Sequence, residues 1–144
     1  MCGTDNMPKV MVVEDDKEYL VLYREFLKLV GYEAITEIQS SKAMALAHET
    51  KPDLFILDLM MPEPDGFKLC RMLRADPVFR RTPIIIITAL NDLDSKLVAL
   101  GSGANDYLTK PFHIKDLKAR IDALLEKTTL DKGQVSNKAK GSRL

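Results

Sequence analysis

Four short runs of this chain end on residues able to do chemistry. Val10-Met11-Val12-Val13 leads into Glu14, Asp15 and Asp16, and Leu54-Phe55-Ile56-Leu57 into Asp58. Ile84-Ile85-Ile86-Ile87 leads into Thr88, and Asp106-Tyr107-Leu108 into Thr109, Lys110 and Pro111. Singly, each has an ordinary reading. An acid after a strand is commonly a helix cap, which is the reading for Asp16. A lone threonine is a turn residue and a lone lysine a solvated charge. Together they aim carboxylates, a hydroxyl and an amine at one place. Clustered carboxylates repel one another, so the group needs a cation. Oxygen-only donors favour a hard ion such as Mg²⁺. Glu14, Asp15 and Asp58 bring three negative charges, which one Mg²⁺ and Lys110 balance. A metal with open positions can hold an incoming phosphoryl group. A carboxylate beside it can attack as a nucleophile and form an acyl phosphate. Lys110 would neutralise phosphoryl oxygens and Thr88 would donate a hydrogen bond to one.

The elements that must position these residues are legible in the apolar pattern. The runs are short and largely aliphatic, as buried parallel strands are. A weaker run, Glu33–Thr36, adds a strand with no polar candidate after it. Helical spacing appears between the runs. Leu20, Tyr23, Leu27 and Val30 recur on one face, and Gly31 stops that helix. Ser40 or Ser41 is expected to cap the next, carrying Ala43, Leu46 and Ala47, with Pro52 after its end. Phe67–Ala75 forms a third, closed by Asp76-Pro77. Leu93, Leu97 and Leu100 mark a fourth, ending at Gly101 and Gly103, and Leu117, Ile121, Leu124 and Leu125 a fifth. Strand and helix alternate five times, which predicts a parallel five-stranded α/β sheet, doubly wound with helices on both faces. In such sheets ligands bind beyond the carboxyl ends of the strands, where these polar residues fall.

Bulk properties set limits. The chain has 144 residues, enough for one domain with its own core. Its 21 basic and 21 acidic residues cancel, so no domain-wide basic field for nucleic acid exists. Cys2 and Cys70 have neither metal nor disulfide spacing, and reduced thiols in a cytoplasmic protein are expected. No apolar run approaches the ~20 residues of a membrane span, and the start lacks a signal core. Residues 1–8 read as a disordered leader, 9–127 as the folded domain, and 128–144 as a polar, weakly basic linker or tail. His48 and His113 have no ligand partners nearby in sequence and are expected at the surface; Cys70 is expected to be partly buried.

The strand-end motifs resemble the receiver domain of two-component response regulators. The likeness runs from about Lys9 to Lys127. It rests on Val13-Glu14-Asp15-Asp16, on Leu57-Asp58-Leu59-Met60-Met61-Pro62 with Asp65-Gly66, on Ile87-Thr88-Ala89, and on Gly103 through Phe112. The resemblance implies a flavodoxin-like (βα)5 fold with strand order 2-1-3-4-5. It implies Asp58 as phosphoacceptor, with Thr88 and Lys110 as its catalytic helpers. Glu14 and Asp15 would be the acidic metal pair, completed by Asp58 and the backbone carbonyl of Met60. Thr88 and Tyr107 would be the switch pair, the hydroxyl turning to the phosphoryl group and the ring turning inward. Lys110 would contact phosphate, with a cis bond to Pro111. The donor would be a sensor histidine kinase or a histidine phosphotransfer protein. The fourth helix, fifth strand and fifth helix would form a face for homodimerisation or partner docking. Glu63-Pro64 departs from the commoner Gly and apolar residue, and Asp65-Gly66 is expected to supply the turn. Met60 and Leu90 stand two residues past Asp58 and Thr88, where neither can hold an attacking water, so slow self-dephosphorylation is expected.

Two rivals are weaker. An aspartate-nucleophile phosphatase of the haloacid dehalogenase type needs an acid two residues past its nucleophile, and that position is Met60. An FMN-binding flavodoxin-like protein needs a Ser/Thr/Gly-rich loop after strand one, where Glu14-Asp15-Asp16 would repel a phosphate.

Overall fold

The computed structural model describes residues 7–127. The expected leader, up to residue 6, and the expected tail, from residue 128, lie outside them. Five parallel strands form one sheet in the order β2-β1-β3-β4-β5. They are β1 (Lys9–Val13), β2 (Glu33–Glu37), β3 (Leu54–Leu57), β4 (Ile84–Thr88) and β5 (Asp106–Thr109). The helices are α1 (Lys17–Leu29), α2 (Ala43–Thr50), α3 (Gly66–Ala75), α4 (Leu93–Gly101) and α5 (114–127). Order and fold agree with the expectation.

Alternation along the strands divides the core in two. Met11, Val13, Phe55, Leu57, Ile84 and Ile86 pack toward Ala43, Ala47, Leu69, Leu73 and Ala99 of α2, α3 and α4. Val10, Val12, Leu54, Ile56, Ile85 and Ile87 pack toward Leu20, Tyr23, Phe26 and Leu27 of α1 and Leu117 and Ile121 of α5. The residues of β3 and β4 are buried on both faces, which is why their sequences are unbroken aliphatic runs. Each fully buried Leu or Ile contributes about 1.5–3 kcal/mol. The less buried edge strand β2 is the run that read weakest.

Local signals worked unevenly. Asp16 caps α1, its carboxylate accepting from the N–H groups of Glu18 and Tyr19. Gly31, at φ +94°, follows the end of α1, as expected. The expected serine cap on α2 is absent. A 3-10 turn, Ser40–Lys42, precedes α2 instead, and the Ser40 hydroxyl donates to the Pro62 carbonyl at 2.8 Å. The turn after β3 also differs. Asp65 caps α3, and Gly66 is its first residue. A Cβ at Gly66 would stand 2.2 Å from the carbonyl oxygen of Asp58. The glycine is required for space beside the site rather than for turn conformation. Cys70 is fully buried, beyond the partial burial expected.

Candidate functional site at the carboxyl edge of the sheet

Strand pairing aligns the residues that end the runs. Val13 pairs with Leu57, Leu57 with Ile86, and Thr88 with Thr109. Backbone bonds continue past the strands: Glu14 N–H donates to Glu37, Asp58 N–H to Val13, and Lys110 N–H to Thr88. Glu14, Asp58 and Lys110 are therefore held at one edge by neighbouring strands.

Their side chains meet. Lys110 Nζ lies 2.6 Å from Glu14 Oε1 and 2.7 Å from Asp58 Oδ2. Glu14 is 2% exposed and Asp58 6% exposed, so both carboxylates are drawn out of water. The second oxygens are also engaged. Asp58 Oδ1 accepts from Met60 N–H at 3.0 Å, and Glu14 Oε2 from Asp16 N–H at 3.1 Å. Burial pushes the Glu14 carboxyl up to about 7; Asp58 repels its charge in the same direction, and the bond to Lys110 opposes both. Burial alone would lower the Lys110 pKa, but the bonds to Asp58 and Glu14 raise it, so the ammonium stays charged.

Two carboxylates facing one ammonium leave the cluster short of a positive charge. The donors are all oxygens, which fits a hard divalent cation. Asp15 is exposed and stands apart from the Lys110-bonded pair. Among the described residues no three acidic, histidine or cysteine side chains are grouped to hold a metal. The donor chemistry thus fits the ion, while Lys110 takes up both buried carboxylates.

Thr88 is fully buried at the end of β4, and its Oγ1 accepts from Leu90 N–H at 3.4 Å. Tyr107 is 9% exposed, and its hydroxyl donates to the Leu90 carbonyl at 2.6 Å. The ring lies with the core residues of the α2–α4 face. Thr88 and Tyr107 thus meet on one residue, Leu90. The Lys110–Pro111 peptide is cis, as is Glu63–Pro64.

The model of the response regulator receiver domain matches residues 10–122. The chain belongs to that family. It is 39% identical over 122 residues to RpaA of Synechocystis, a DNA-binding dual master transcriptional regulator, covering 85% of this chain and 51% of RpaA. A two-component response regulator from Clostridium difficile superposes at TM-score 0.80 with 30% identity, over 85% of this chain and 98% of that one. The BeF3-activated N-terminal receiver domain of Klebsiella pneumoniae RstA superposes at 0.77 with 33% identity, over 81% and 97%. The chain spans about half the length of the curated relatives it matches. It is a receiver domain of a two-component system.

Of the residues singled out in the sequence, this receiver domain brings together Glu14, Asp58 and Lys110 in direct contact, and Thr88 and Tyr107 through Leu90. Asp15 and Met60 flank them with exposed side chains. His48 and His113 are exposed; His48 pairs with Asp76 at 2.6 Å. Among the described residues no helix is long and apolar enough to cross a membrane. Sequence reasoning missed Tyr19, whose ring centroid lies 4.1 Å from Lys110 Nζ. The helical spacing of Tyr19 and Tyr23 was the available signal. It also missed Arg74, which binds the carbonyls of Phe79, Thr82 and Gly103 and the side chain of Asn105. A single arginine in an amphipathic helix gives no sign of such a role.

Proposed function

We propose that Asp58 of this receiver domain accepts a phosphoryl group from a histidine kinase or histidine phosphotransfer protein. The observation that carries the reading is the buried Asp58 carboxylate held at 2.7 Å by Lys110 beside a second buried acid. In the transfer, an Asp58 carboxylate oxygen bonds to phosphorus as the phosphorus–nitrogen bond of the phosphohistidine breaks. The electron pair leaves with the imidazole nitrogen, which takes up a proton. Lys110 Nζ stays beside the oxygens that gain charge, and the Thr88 hydroxyl donates to one of them. Glu14, Asp15, Asp58 and the Met60 carbonyl would hold Mg²⁺. When bound, that ion supplies the charge that the two buried acids lack and polarises the phosphoryl group.

Phosphorylation then biases the Thr88–Leu90–Tyr107 arrangement, and with it α4, β5 and α5. Leu93, Leu97 and Val98 of α4 are 67%, 57% and 50% exposed, which suits a face for homodimerisation or for a downstream partner. Control of transcription by a longer protein carrying this domain is consistent with RpaA. The domain turns over no substrate of its own; phosphoryl acceptance and slow hydrolysis are its chemistry. The exposed Met60 side chain offers no group to position a hydrolytic water, so phosphoprotein lifetimes of minutes or longer are expected, and lifetimes of seconds would contradict this. The acceptor reading is tested with Mg²⁺ and acetyl phosphate. Intact mass should rise by one phosphoryl group in the wild type and not in Asp58→Ala. Equal labelling of both would overturn it.

A further inference from the structure

Lys110 has a third contact beside its two ion pairs. The Tyr19 ring lies on α1, whose N-cap Asp16 follows Glu14 by two residues. Its centroid is 4.1 Å from Lys110 Nζ. An ammonium over an aromatic face is attracted by the negative face of the ring, more strongly where water is excluded. The Lys110 side chain is only 10% exposed.

The ring is itself braced. Tyr19 lies 6.0 Å from Tyr23 and 6.3 Å from Phe112, and Tyr23 stacks on Phe112 at 5.8 Å and 11°. Tyr19 and Tyr23 are one helical turn apart, and Phe112 is two residues past Lys110. Three rings therefore tie the start of α1 to the segment that carries the lysine. Tyr23 is 1% exposed and its hydroxyl has no hydrogen-bond partner among the described residues, so its contribution is that of a ring.

We propose that Tyr19 is a positioning residue that holds the Lys110 ammonium over the acceptor through its aromatic face. A lysine side chain has four flexible carbons, and its hold here otherwise depends on two carboxylates. One of them, Asp58, changes charge and shape when it takes a phosphoryl group, and the other, Glu14, is needed by the metal. The ring is not consumed in the transfer. It keeps the ammonium in place while its anionic partners are exchanged.

The inference rests on Asp58 as acceptor, and two readouts separate the two claims. The first is the rate of phosphoryl uptake from acetyl phosphate at saturating Mg²⁺. Tyr19→Phe keeps the ring and should stay within about twofold of wild type, whereas Tyr19→Leu and Tyr19→Met should be slower by about three- to tenfold. The second is the NMR shift of the Lys110 ε-methylene protons, which needs no phosphoryl chemistry. Ring current should move them upfield in wild type and Tyr19→Phe, and not in Tyr19→Leu or Tyr19→Met. Unchanged uptake in both non-aromatic variants overturns the proposal. So does slower uptake with Lys110 shifts that do not differ from wild type, which would mark a merely structural role. A wild type that takes up no phosphoryl group would instead sink the acceptor reading, and the Lys110 shift would still test the ring contact.

Discussion

Lys110 and Arg74 are both cations drawn partly out of water, and different partners hold them. Arg74 lies in α3, and among the described residues its guanidinium donates only to neutral oxygens. Nε reaches Gly103 at 2.9 Å, Nη1 reaches Phe79 and Thr82 at 3.0 and 2.6 Å, and Nη2 reaches Asn105 Oδ1 at 2.7 Å. Lys110 Nζ instead contacts two carboxylates and a ring. Burial lowers the Arg74 pKa and the nearby Cys70 thiol offsets it only in part; the carboxylates around Lys110 reverse the effect of burial there. Carbonyl oxygens cannot lose or gain a proton or accept a phosphoryl group, so the Arg74 site is a staple between the ends of α3 and α4 and the start of β4. Carboxylates can do all three. The nature of the partner, not burial of the cation, separates a structural site from one whose groups are able to react.

Swapping the two losses is the sharpest way to break that comparison. Lys110→Ala should slow phosphoryl uptake by about a hundredfold or more, the scale of losing one preorganised donor to developing charge. Arg74→Ala should leave uptake within about threefold but lower unfolding free energy by about 2–4 kcal/mol in urea titration, because several buried carbonyls lose their donor. A reversed pattern would end the distinction. Gly66→Ala tests the wall of the proposed acceptor site. Its methyl group would run into the Asp58 backbone, so a loss of about 1–3 kcal/mol is expected, with uptake slowed as well.

A smaller effect concerns pH. The Glu14 carboxyl is raised from 4.5 to about 7 by burial and by Asp58, against Lys110. Between those values the folded, metal-free protein holds a proton that the unfolded chain has released. The Glu14 contribution to stability is full below about 4.5 and lost as pH rises to about 7. Glu14→Gln should flatten that slope. Mg²⁺ needs the ionised carboxylate, so its affinity should rise with pH up to about 7 and proton release should accompany binding. A pH-independent Mg²⁺ affinity in the wild type would count against Glu14 as a ligand.

The same contrast explains what the sequence disclosed. Ile84–Ile87 and Leu54–Leu57 were legible because a doubly covered strand must be apolar throughout. Glu14, Asp58, Thr88 and Lys110 were legible because each follows such a run, and parallel pairing brings those ends to one edge. Ser40 misled because its hydroxyl bonds across the fold to Pro62 instead of to its own helix. The space requirement at Gly66 depends on how closely α3 approaches Asp58, which no local pattern encodes. Arg74 and Tyr19 act through contacts 29 and 91 residues away in the chain, to Gly103 and Lys110. Side chains chosen for such distant partners resemble ordinary helix residues in sequence. Asp15 adjoins Glu14 in sequence, yet on the chain leaving β1 the two side chains differ in exposure, which adjacency alone does not reveal.

The central claim is that the residue held by Lys110 stores the phosphoryl group, and locating the label tests it most directly. The protein is loaded with acetyl phosphate and Mg²⁺, the acyl phosphate is reduced with borohydride, and the peptides are mapped. Homoserine at position 58 alone is the expected result. Homoserine at Asp15 or any other acid, with Asp58 unmodified, would contradict it.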